Sequence, residues 1–99
     1  MNNTTIPSLL TRVVKLRSSF QNVGATTWNA WARGDRAGFI LGCLDTEAVR
    51  YDDHFSYDVF FKAYHSSKYE SIHLADLDYS QIMEVFDLAD RYAENWIFS

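Results

Sequence analysis

Ninety-nine residues, 47 % hydrophobic and 16 % aromatic, suffice for one packed domain and are too apolar for a disordered chain. A formal charge of −4 argues against a nucleic-acid-binding module, which is ordinarily basic. The sole cysteine, Cys43, has no intramolecular disulfide partner, and no apolar run approaches the roughly 18 residues that cross a bilayer.

The chain opens on Met1 to Thr5, a polar stretch without the basic-then-apolar order of a signal peptide, read here as a flexible tail. With the unpaired thiol it points to a cytoplasmic protein, organised as a single helical domain over 1–99. From Pro7 to Asn22 the residues Leu9, Leu10, Val13, Leu16 and Phe20 recur at spacings of three and four, which is helical periodicity. Thr5 is the expected N-cap and Gly24 the stop, with Arg12, Lys15 and Ser19 on the wet face. A second helix is expected from Thr26 or Thr27, carrying Trp28 and Trp31. Ala30, Gly34, Gly38 and Gly42 then form a row of small residues at four-residue spacing, where another helix can pack closely. Glycine is a poor helix former, so a break is expected near Gly34, with a further piece over Asp35 to Leu44.

Asp45 to Phe55 shows no sustained period and reads as a loop with at most one helical turn. Ser56 is the expected cap of a short helix burying Val59, Phe60, Ala63 and Tyr64. Tyr69 to Leu74 alternates weakly, which permits a short strand or an extended connector. Asp78 with Gln81 resembles a capping box for a last helix, whose apolar face is Ile82, Val85, Phe86, Ala89, Tyr92, Ala93 and Trp96. The Trp96-Ile97-Phe98 end is expected to fold back onto the first helix, since left exposed it would be a liability. The fold class is mainly α, a compact bundle of four to five helices.

Charge is segregated along this chain. Arg12, Lys15, Arg17 and Arg33 precede the first carboxylate, Asp35, whereas from Tyr51 onward ten carboxylates face only Lys62, Lys68 and Arg91. All six tyrosines lie in that acidic half. Two clusters stand out as candidate partner-binding residues. The first is Asp52, Asp53, Tyr57 and Asp58. The second is Glu84, Asp87, Asp90, Arg91 and Glu94 on the last helix, where like charges at helical spacing destabilise and call for another cause. Asp90 and Glu94 also oppose the negative end of the helix dipole.

Catalytic signals are absent. There is no glycine-rich phosphate loop, nucleophile elbow or paired-cysteine motif, and Cys43 sits in an apolar run that suits inert packing. His65 and His73 lack partners at zinc spacing, and the Asp52–Asp58 cluster lacks a calcium-loop spacing, so neither metal nor cofactor is expected. Arg50 and His54 loosely resemble the Arg-and-His motif of HEPN ribonucleases. Three residues separate them where that family has four to six, and the intervening Tyr51-Asp52-Asp53 would repel RNA phosphate, so no catalytic role is carried over.

These features together suggest a non-enzymatic inhibitor or adaptor. Its carboxylates and tyrosines would dock on the basic, nucleic-acid-binding face of a partner enzyme, without binding nucleic acid or membrane itself. In size and charge the chain resembles small acidic helical proteins of phages and toxin–immunity systems, including anti-CRISPR and anti-restriction proteins. The alternative is a structural subunit that uses Gly34, Gly38, Gly42 and the aromatic C-terminus in a homodimer or larger assembly.

Overall fold

The computed structural model describes residues 7–98, and among them five α-helices and no strand. The first helix, α1, spans Leu9–Val23 and is capped by Ser8, whose Oγ accepts the Thr11 N–H at 3.1 Å; Thr5 lies outside the described residues. Gly24 ends α1 at φ +82°, a conformation glycine adopts without strain, and the chain turns at once into α2, Ala25–Ala30. The expected break then comes earlier than Gly34. It falls at Trp31 and Ala32, because Arg36 caps the end of α2: its Nε donates to the Trp28 carbonyl at 2.9 Å and its Nη2 to the Asn29 carbonyl at 3.1 Å.

From Arg33 to Tyr51 the chain is one continuous helix, α3. The loop expected over Asp45–Phe55 is therefore a correction. The inward positions do keep helical spacing, through Ile40, Leu44 and Glu47, but the third is a carboxylate, while Val49 faces water at 84 % exposure. That exchange of polar for apolar hides the period. The glycine row is a second correction: a Cβ built at Gly34, Gly38 or Gly42 meets nothing within 4 Å, so none of the described helices packs closely against them.

Asp52, in the left-handed region at φ 51°, closes α3, and α4 follows as Phe55–Ser66. Ser56 is buried inside the first turn rather than capping it; the carboxylate of Asp53 accepts the Phe55 N–H at 3.1 Å instead. The 69–74 segment is neither strand nor extended. It is a string of turns tied down by Tyr64, whose hydroxyl donates to the Ile72 carbonyl at 2.6 Å, and it runs into a 3-10 turn over Leu74–Asp76. The last helix, α5, spans Tyr79–Glu94 and carries the expected capping box in full: Asp78 accepts the Gln81 N–H and Gln81 accepts the Asp78 N–H, each at 2.9 Å.

Phe20 stands where the helices meet. Its ring lies 5.6 Å from Trp28, 5.0 Å from Phe39, 6.5 Å from Phe60 and 4.9 Å from Phe86, which ties α1 to α2, α3, α4 and α5. Trp28 is fully buried, and its indole N–H donates to the Leu77 carbonyl at 3.0 Å, so its one polar atom is satisfied. The C-terminal end does fold back, though onto α4: the Trp96 ring packs 5.3 Å from Phe55. Ile97 and Phe98 stay 86 % and 59 % exposed. Among the described residues no helix is long and apolar enough to cross a membrane.

Candidate functional site

The segregated charges of the sequence meet in the fold. Arg12 of α1, placed on the wet face by its spacing, is instead 3 % exposed and grips Asp53 with both guanidinium nitrogens at 2.9 and 2.7 Å. The guanidinium also lies 3.8 Å from the centre of the Tyr51 ring and 4.9 Å from that of Phe55. Arg17 pairs with Asp90, and Arg33 with Asp76 at 2.9 Å. Three cations of the first half thus hold three carboxylates of the second.

Several residues expected to face a partner are therefore engaged within the chain. Asp53 is clamped, and the Arg12 bond holds its carboxyl below the usual range. Asp90 turns toward α1, with Oδ1 buried and without a hydrogen-bond partner among the described residues. Tyr57 is half-buried and donates to Asp45, which pushes its phenol upward. Glu84 accepts from Tyr69 and lies 3.4 Å from the Lys68 ammonium; the Tyr69 bond lowers the carboxyl and raises the phenol. Adjacent in sequence, Asp52 and Asp53 part company, one exposed at the helix end and one drawn inward.

What remains is a smaller set on one pair of helices. Phe55 packs on Trp96, Lys62 lies 5.1 Å from the Tyr92 ring centre, and Ser66 shares a cleft with Glu84 and Asp87, so α4 and α5 run antiparallel. That cleft, of about 330 Å³, is lined by Ser66, Ser67, Lys68, Glu84, Asp87 and Arg91. The structure thus brings together Glu84, Asp87 and Arg91 as their spacing predicts. Glu94 stands beyond them on α5, and Asp58 on the first turn of α4, at the end where Phe55 meets Trp96. Asp52, Asp58, Asp87 and Glu94 are all exposed, and none forms an ion pair among the described residues.

Two features escaped the sequence reading. One is the buried Arg12, whose partner lies 41 residues away and leaves no local pattern. The other is a groove of about 590 Å³ between α1 and α3, lined by Leu16, Gly38, Phe39, Gly42, Cys43 and Glu47 among others. Glu47 is 6 % exposed there, its Oε2 accepting from Arg50 at 3.1 Å and its Oε1 without a partner among the described residues. Burial, and then the Glu47 charge, push the Cys43 thiol up to about 11, so it is un-ionised at neutral pH and a poor nucleophile. Arg50 is turned toward Glu47, and His54 is exposed at the start of α4.

His73 accepts the Ala75 N–H at 3.1 Å, and His65, in the last turn of α4, lies 3.7 Å from Glu70, both contacts local in sequence. Among the described residues, no three His, Cys, Asp or Glu side chains gather as a metal-holding group. No protein-family model, no curated protein and no solved structure matches this chain, so its chemistry is read from its own residues.

Proposed function

We propose that this protein is a non-catalytic binder of a basic protein surface, an inhibitor or adaptor that docks through the outer face of α4 and α5. One observation carries the reading. The carboxylates of Asp58, Asp87 and Glu94 face water on two adjoining helices and form no ion pair among the described residues, while Asp53, Asp76 and Asp90 are held by arginines. Unpaired carboxylates on a rigid helix pair are a fixed negative pattern. A groove built for phosphates, as in a nucleic-acid-processing enzyme, is the complementary positive one. Asp52, at the exposed corner where α3 ends, extends the same charge toward α4. The tyrosines contribute less than their number implies, since Tyr57 and Tyr69 are bonded to carboxylates within the chain.

The test is capture from a bacterial lysate, with the native chain and the Asp87→Lys, Glu94→Lys double variant run side by side. Expected is a basic protein retained by the native chain, absent from the variant, and eluted as salt rises from about 0.1 M to about 1 M, where the screening length falls from about 10 Å to about 3 Å. A captured protein held equally by both chains and indifferent to salt would overturn the electrostatic reading.

A further inference from the structure

We propose that the groove between α1 and α3 binds a small zwitterion with an apolar body, the chemistry of a free apolar amino acid. Glu47 carries the reading. It is the third inward position of α3 after Ile40 and Leu44, where packing alone favours an apolar residue. Its side chain is 6 % exposed and lines the groove, and its Oε1 is buried with no donor among the described residues. Arg50 reaches only the other oxygen, at 3.1 Å. A carboxylate oxygen shut away from water without a hydrogen bond is destabilising. A donor brought by a ligand, an ammonium best of all, would satisfy it.

The remaining walls say what else that ligand carries. The two helices run antiparallel, since Phe20 meets Phe39 at 5.0 Å while the Arg12 guanidinium lies 3.8 Å from the Tyr51 ring centre. Lys15, Glu47 and Arg50 therefore gather toward the Tyr51 end of the groove, and Phe39 toward the Phe20 end, with Leu16 and Cys43 between. Lys15 is exposed and forms no ion pair among the described residues. A simple amine would be opposed by Lys15 and Arg50, and a simple carboxylate would leave Glu47 Oε1 unmet. A ligand with both groups answers all three side chains, its ammonium on Glu47 and its carboxylate on Lys15 and Arg50. Its apolar body would then lie along Leu16, Cys43 and Phe39, out of water. Gly38 and Gly42 border that lane, and a Cβ at either meets nothing within 4 Å, so the space beside them is open. At about 590 Å³ the groove falls within the span of small-molecule sites, about 300–1,000 Å³. It lies away from the outer face of α4 and α5 and does not depend on the binding role proposed for that face.

Isothermal titration calorimetry of the full chain with L-phenylalanine and L-leucine tests this. At least one should bind saturably, at one site per chain, with a Kd below about 1 mM. Phenethylamine, which lacks the carboxylate, and 3-phenylpropionate, which lacks the ammonium, should each bind at least about tenfold more weakly than L-phenylalanine. Glu47→Gln, which keeps the shape and removes the charge, should weaken amino-acid binding by about tenfold or more. Gly42→Leu, which adds bulk at the groove wall, should do the same without lowering the melting temperature, since the added side chain meets open space. No saturable heat from either amino acid at millimolar concentration would overturn the proposal. So would a control that binds as tightly as L-phenylalanine, or native affinity in the Gly42→Leu variant.

Discussion

A buried guanidinium decides the corner where α3 turns into α4. Arg12 reaches across from α1 to Asp53, and Asp53 in turn accepts the first N–H of α4, so one carboxylate fixes three elements. Arg12→Met would leave Asp53 and the Tyr51 ring without their partner. Because Asp53 is 30 % exposed, the expected loss lies near the low end for breaking a buried pair, about 3 kcal/mol, readable by urea denaturation. The same pair has a pH signature. The folded-state pKa of Asp53 is lowered, so its contribution is present in full above the unfolded value of about 4 and is lost as pH falls through the folded one. Stability measured below about pH 4 should therefore decline less steeply in Asp53→Asn than in the native chain. Arg12 also marks a limit of reading residues from spacing: a charge at a helical position scores as wet until its distant partner is known.

At the level of elements, most of the bundle was legible. The capping box at Asp78 and Gln81, the apolar face of α5 and the periodicity of α1 are local signals, and each formed as its spacing predicts. The candidate site was legible in part. Glu84, Asp87 and Arg91 share a cleft as their spacing implies, whereas Asp53 and Asp90 are claimed by arginines far off in sequence. α3 was the least legible element, because Glu47 sits where an apolar residue is expected, Val49 where a polar one is, and the glycines lower helix propensity throughout. That helix supplies a second prediction. Gly38→Ala and Gly42→Ala should each raise stability by about 0.5–1 kcal/mol, seen as a higher thermal midpoint, since alanine favours the helix and its methyl group meets open space. An unchanged or lower midpoint would mean that space is filled within the monomer.

For the whole molecule, the charges form two populations, those that close the fold and those left facing water. The Asp87→Lys, Glu94→Lys double variant acts on the second. Its thermal midpoint should be unchanged or slightly higher, since both positions are exposed and the acidic crowding on α5 is relieved. Its association rate with a basic partner should fall by about tenfold or more at low salt, with a smaller change in dissociation, when followed by stopped-flow or surface plasmon resonance. At the corner between α3 and α4, the two adjacent carboxylates call for different expectations. Lys at Asp53 opposes Arg12 and should destabilise, so Asp52→Lys alone is the clean probe of that corner.

The ion pairs that join the halves span 41, 43 and 73 residues, with the cation always in the basic first half and the carboxylate in the acidic second. Once the fold is lost, the two blocks remain tethered and oppositely charged, and they attract one another with no defined geometry. Such a chain collapses in dilute buffer more than its length implies, and so exposes less surface on unfolding. Added salt relaxes that collapse within a few ångströms of screening. The dependence of stability on urea concentration should therefore steepen as sodium chloride is raised to about 1 M, because the slope follows the surface newly exposed to solvent.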